Sequence, residues 1–132
     1  MLPLCKFYRY LIYRLYHFKD DTPIANTILT LGVVHFFICA AMFSVLLEYT
    51  QIKFCTSKNE AVVFAIVWLI VHYFLFYDKG KWESYNEEFK DENPKQRRRG
   101  LILVLSYLIG SIVVCFVVWG FLIYYKSVQA DL

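Results

Sequence analysis

Half of this 132-residue sequence lacks charge. Three stretches, Ile24 to Leu47, Ala61 to Tyr77 and Leu101 to Tyr125, contain no Asp, Glu, Lys or Arg, and they run for 24, 17 and 25 residues. A helix rises ~1.5 Å per residue, so a hydrocarbon core of ~30 Å takes about 20 residues, within a range of roughly 17 to 25. All three stretches qualify as membrane spans, the second narrowly. A soluble single domain is excluded on the same grounds: at 59% hydrophobic and 20% aromatic residues, too little polar surface remains to cover three such helices in water.

Other absences narrow the chemistry. The five glycines form no phosphate-binding loop, and the four cysteines have no metal-finger spacing. There is no nucleophile beside a base, no carboxylate pair within a span and no internal repeat. The spans also lack the acidic and basic residues of a proton relay, and three short helices enclose too little volume for a substrate cavity in a monomer. These absences point away from an enzyme, a cofactor or a metal centre. A cleavable signal is not expected either: the first apolar run begins after residue 23, is too long for a signal core and lacks a small-x-small exit. The first span is expected to remain as an anchor.

The charge that is present is concentrated. Residues 77 to 100, "YDKGKWESYNEEFKDENPKQRRRG", hold 13 of the 25 charged residues. Lys and Arg accumulate on the cytoplasmic side of short loops. Lys6, Arg9, Arg14 and Lys19 precede the first span, and Lys79, Lys81, Lys90, Lys95, Arg97, Arg98 and Arg99 follow the second. Only Lys53, Lys58 and Lys126 lie on the other side. The N-terminus is therefore expected in the cytoplasm and, after three spans, the C-terminus outside. Cys5 is then cytoplasmic, Cys39 and Cys115 lie within spans, and Cys55 is a lone external cysteine without an intramolecular partner, a free thiol or else a link between two copies.

Residues 4 to 18, "LCKFYRYLIYRLYHF", have helical periodicity. Phe7, Phe18, Leu11, Leu4, Leu15, Tyr8 and Ile12 fall on one face, with Arg9, Tyr13, Lys6, His17, Tyr10 and Arg14 on the other. A basic face opposite an aromatic one describes an interfacial helix on anionic lipid, with Lys6, Arg9 and Arg14 at the head groups; packing on the protein's own loop is the alternative. Asp21 or Thr22 can cap the first span, with Pro23 in its first turn.

Within the spans the polar groups are few. Thr27, Thr30 and Ser44 can bond back to their own helix carbonyls. His35 and Cys39 share a face of the first span, and His72 and Cys115 lie in the second and third. Counted from the cytoplasmic ends, His35 sits about 16 Å deep and His72 about 8 Å, which argues against a shared metal or haem. Histidines that are neutral, each with one interhelical hydrogen bond, are the structural reading, although ionisable residues at such depth are functional candidates.

Ser57 and Glu60 have capping-box spacing and open the second span. One helix is expected from about Lys58 to Glu92, broken or flexed at Gly80 and stopped by Asn93-Pro94. Its cytoplasmic end carries Trp82, Tyr85 and Phe89 as an aromatic stripe, which must bury against the N-terminal helix or against a cytoplasmic partner. The following "KQRRRG" places Arg97, Arg98 and Arg99 at lipid phosphates; the cluster is too short and too close to the membrane for nucleic acid. In the third span Ser106 and Gly110 form a small-xxx-small pair suited to close helix approach or self-association.

The order "YRLYHFKDDTPIANTILTL" and then "NEEFKDENPKQRRRGLILVLSYLIGSIVV" resembles a group of small three-pass membrane proteins of Bacteroidota bacteria. The resemblance implies a bacterial inner-membrane protein and supplies no active-site residues. The expected fold is thus an all-α membrane protein: three transmembrane helices, an interfacial amphipathic helix and a cytoplasmic extension of the second span. The expected function is non-enzymatic binding of a membrane or cytoplasmic protein partner, as by an immunity or accessory protein for a membrane-acting toxin. Trp82, Tyr85, Phe89, His35, Cys39, Ser106 and Gly110 would form the contact. A homo-oligomeric pore lined by Asn26, Thr30 and His35, and a small subunit of a larger membrane complex, are the alternatives.

Overall fold

The computed structural model describes residues 4–18, 21–50 and 57–131, which form five α-helices in chain order: α1 (Lys6–Tyr16), α2 (Pro23–Thr50), α3 (Lys58–Phe76), α4 (Lys79–Phe89) and α5 (Pro94–Ala130). Lys19, Lys53 and Cys55 lie outside the described residues. Three helices are long and apolar enough to cross a membrane: α2 over Pro23–Glu48, α3 over its whole length, and α5. The chain has the architecture of a multi-pass membrane protein.

Local chemistry sets the helix ends. Pro23 opens α2, where its missing N–H costs nothing, and the Thr22 carbonyl accepts from Asn26 N–H at 3.0 Å. Ser57 and Glu60 form the reciprocal capping box at α3, with Glu60 N–H on Ser57 Oγ at 3.2 Å. Asn93, Pro94 and Gln96 repeat that device at α5. Asn93 therefore starts a helix as well as ending a segment, and "KQRRRG" forms the first turns of a 37-residue helix continuous with the third span.

The single helix expected from Lys58 to about Glu92 is two helices, and they meet at Tyr77–Asp78, ahead of Gly80. Both residues are in extended conformation. The Asp78 carboxylate accepts from Lys81 N–H at 3.1 Å and so begins α4 afresh. Trp82 folds back to donate its indole N–H to the Phe76 carbonyl at 2.8 Å, satisfying a group that the end of α3 leaves open. Gly80 lies inside the first turn of α4 and has no special role in the break.

The spans form a row. α2 packs on α3 through one flank and on α5 through the other, and among the described residues the backbones of α3 and α5 make no close approach. Phe36 meets Phe64 and Trp68 on the α3 side, and Phe37 meets Phe116 and Trp119 on the α5 side. At one end of the row α1 lies between α4 and the α2/α5 pair. The main core is at that end: Tyr10, Leu11, Ile12 and Leu15 of α1 close on Ile28, Leu31, Phe76, Trp82, Tyr85, Phe89 and Val104. At the other end Trp119 donates to Ser44 Oγ at 2.9 Å, and Lys126 pairs with Glu48 at 2.7 Å.

Candidate functional site

The aromatic stripe of α4 is occupied by the protein itself. Trp82, Tyr85 and Phe89 are 7%, 6% and 7% exposed. Tyr10 and Tyr13 of α1 lie against Phe89, and Tyr16 meets Trp82 edge-on. Of the two occupants expected, the N-terminal helix holds the position. Each of these large side chains contributes about 1.5–3 kcal/mol by burial, which is ample to hold an eleven-residue helix.

The basic residues of α1 are engaged as well. Arg9 makes a two-pronged pair with Glu88, with Nε and Nη2 each 3.0 Å from a carboxylate oxygen. Arg14 Nη2 reaches Glu92 at 3.1 Å and the Arg97 carbonyl at 3.0 Å, while its Nε donates to the Tyr10 hydroxyl at 2.7 Å. The acidic half of residues 77 to 100 thus serves as counter-charge to α1. Tyr10, placed by periodicity on the polar face, is buried because its ring lies on Gly100, where no side chain intervenes. Arg97, Arg98 and Arg99 remain exposed at the start of α5, and Lys6 is exposed on α1.

Beyond this end, a line of polar side chains enters the spans. Tyr107 of α5 and Tyr8 of α1 have hydroxyls 2.7 Å apart. Tyr8 Oη lies 3.4 Å from His35 Nε2 on α2, and His35 Nδ1 lies 3.0 Å from His72 Nε2 on α3. His72 Nδ1 then lies 3.0 Å from the Trp68 carbonyl, and the Trp68 indole donates to the Gly32 carbonyl at 2.8 Å. Four helices are joined through one chain of side chains.

The direction of every bond follows from its last member. A carbonyl only accepts, so His72 carries its proton on Nδ1 and, when neutral, presents Nε2 as an acceptor. His35 must then donate from Nδ1, which leaves its own Nε2 to accept from the Tyr8 hydroxyl. Tyr8 oxygen accepts from Tyr107. With both rings neutral, this pattern gives each hydrogen one acceptor and places the proton of both histidines on Nδ1.

The depth estimate that separated His35 from His72 fails for a definite reason. α2 and α3 run antiparallel, with Phe36 beside Phe64 and Gly32 bonded to Trp68. Helical side chains tilt toward their own N-terminus, so the two imidazoles lean toward each other along the bundle axis. Counting Cα positions omits that reach. Tyr8 and Tyr107 also escaped sequence reasoning; the available signal was a tyrosine hydroxyl on each of two otherwise apolar faces, and such hydroxyls require partners when buried.

The remaining candidates are separated. Cys39 does not join the chain; it lines a cleft of about 500 Å³ between α2 and α3, with Phe36, Ala40, Ala61, Ala65 and Trp68. Ser106 and Gly110 lie on the opposite flank of α2, in a groove of about 540 Å³ shared with Ile38, Ala41 and Met42. Thr27 bonds back to the Pro23 carbonyl at 2.7 Å and Ser44 to that of Ala40 at 2.7 Å. Asn26 and Thr30 are half-buried near the α1 end, and the Asn26 side-chain nitrogen is buried without a hydrogen-bond partner. Among the described residues no group of three potential metal ligands converges. No family model, curated protein or solved structure matches the chain.

Proposed function

We propose that this is a non-enzymatic integral protein of a bacterial inner membrane that works by holding one helix of a membrane partner against α2 and α5, as an immunity or accessory protein for a membrane-acting toxin would. The observation that carries this reading is the groove at Gly110. Apart from the adjoining backbone of α5 itself, nothing lies within 4 Å of the position a Cβ would take there. Ser106 lies one turn before it on α5, and Ile38, Ala41 and Met42 form the facing wall. Association within a bilayer gains little from apolar area alone and depends on close backbone approach over small residues. A helix can use such a trough, whereas an acyl chain gains nothing particular from it. The aromatic stripe is closed by α1, so capture rests on the spans.

The orientation in this reading places α1, α4 and Arg97 to Arg99 in the cytoplasm, where the basic residues meet anionic lipid. The test is the composition of the complex extracted from native membranes in mild detergent through a C-terminal tag. A second polypeptide in fixed ratio, lost in Gly110→Leu while the variant still inserts, supports the proposal. A pure homo-oligomer, or a second polypeptide retained in Gly110→Leu, overturns it.

A further inference from the structure

The chain of hydrogen bonds through the spans has a property that its members lack singly. With both histidines neutral, its four hydrogens run in one direction, from Tyr107 to Tyr8, His35, His72 and the Trp68 carbonyl, and each hydrogen has one acceptor. The groups facing the two imidazoles are Tyr8 from α1 (with Tyr107 of α5 behind it), and the Phe76 ring, Trp68 ring and Trp68 carbonyl from α3. Phe76 and Trp68 do not titrate, the tyrosines are neutral hydroxyls, and no carboxylate or cation is among them. Among the described residues the pair therefore has no counter-ion that would favour a doubly charged state.

We infer that His35 and His72 constitute one proton-binding site, which takes up a single shared proton and in doing so reverses the hydrogen bonds that join α1 to α2 and α5. The entering proton goes to His35 Nε2, whose lone pair holds the longest link of the chain, 3.4 Å to Tyr8. His35 becomes an imidazolium, and its charge is shared across the 3.0 Å bond from Nδ1 to His72 Nε2. A second proton would place two like charges on rings 5.2 Å apart in a low-dielectric setting, so it is refused.

The new N–H at His35 Nε2 faces Tyr8 Oη, which must now accept. Tyr8 turns its own hydrogen to Tyr107 Oη, and Tyr107, its O–H bond intact, turns that O–H away from Tyr8. The chain gains one hydrogen and no acceptor, and the surplus emerges at Tyr107. That residue lines the groove between α2 and α5. Proton uptake on the α3 side of α2 is thereby expressed on its α5 side.

The test uses the full chain in lipid bilayers, ¹⁵N-labelled at histidine and ¹³C-labelled at tyrosine Cζ, with His17→Asn removing the third histidine. At neutral pH both remaining histidines are expected as Nδ1–H tautomers, with a through-bond coupling from His35 Nδ1 to His72 Nε2. On acidification both rings should shift in one step that takes up one proton per chain. The Tyr107 Cζ signal, assigned with Tyr107→Phe, should move in the same step. In Tyr8→Phe the tautomers and the coupling should persist while Tyr107 no longer responds to acid. An Nε2–H tautomer on either ring, two separate protonation steps, no uptake before the protein unfolds, or a Tyr107 response that survives Tyr8→Phe would each overturn the inference.

Discussion

The Tyr10 ring occupies the space that a side chain on Gly100 would fill. A Cβ at that position would stand 1.9 Å from the Tyr10 hydroxyl oxygen and 2.3 Å from the ring carbon that bears it. Two elements 90 residues apart in sequence are thus held in contact because one residue has no side chain, and α1 owes its seat on α5 to that omission.

Gly100→Val should therefore unseat α1. Relief of the clash requires the whole ring to move, because its hydroxyl also accepts from Arg14 at 2.7 Å. Overpacking of this kind costs about 1–3 kcal/mol. A lowered unfolding midpoint in detergent, with faster tryptic cleavage after Arg9 and Arg14, is the expected result. An unchanged cleavage rate would show that α1 is held without this contact.

Arg14 and Glu92 should be coupled energetically. Their side chains are 12% and 15% exposed, and Arg14 has further acceptors on Tyr10 and Arg97. A double-mutant cycle with Arg14→Gln and Glu92→Gln should give an interaction of about 1–2 kcal/mol, within the span seen for groups in one network. The solvent-exposed Lys90–Glu87 pair provides the comparison and should give close to zero.

Trp82 does two separable things, and two substitutions distinguish them. Trp82→Phe keeps a ring against Tyr16 and Tyr77 but removes the donor to the Phe76 carbonyl, which should cost about 1 kcal/mol. Trp82→Ala also empties the core between α1 and α4 and should cost about 3–5 kcal/mol. Thermal unfolding in detergent, read by circular dichroism, would rank them. Equal effects would mean that the hydrogen bond carries all of the loss.

Alkali should loosen the α1 end before it affects the spans. Burial raises the Tyr10 and Tyr85 hydroxyls above the ordinary value near 10. The folded protein therefore keeps protons that the unfolded chain has lost, and stability falls as pH rises. The contribution is intact below about pH 10 and is lost as pH climbs through the raised folded values. Hydrogen exchange of α1 amides, compared with those of α5 and corrected for intrinsic pH dependence, should accelerate selectively in that range. Equal acceleration in both helices would refute the assignment.

Much of this arrangement was legible from residues alone. The three apolar runs, the Ser57–Glu60 box and the aromatic period of Trp82, Tyr85 and Phe89 are local patterns, and local patterns translate directly into helices and faces. The break at Tyr77–Asp78 was not legible, because Gly80 is the more conspicuous breaker and an Asp cap depends on backbone geometry. The pairing of His35 with His72 depends on side-chain lean between antiparallel helices, which a depth count along one axis does not contain. Tyr10 appeared polar by its position on the helical wheel. Its burial is decided by Gly100, far away in sequence.

The placement of the partners of α1 also fixes an order of events during synthesis. Its closing contacts, Glu88, Glu92, Arg97 and Tyr107, lie 78 to 99 residues downstream in the chain. α2 and α3, by contrast, meet across a short connection and can pair as soon as both have been made. α1 leaves the ribosome ahead of these partners and is among the last elements to find its counter-charges. Until then it carries unpaired Arg9 and Arg14 beside Phe7, Leu11 and Ile12, and a basic amphipathic segment in that state is held at an anionic bilayer surface. In the orientation proposed above, its final site would be assembled around a helix already at the membrane surface, and truncation before residue 88 would leave it there.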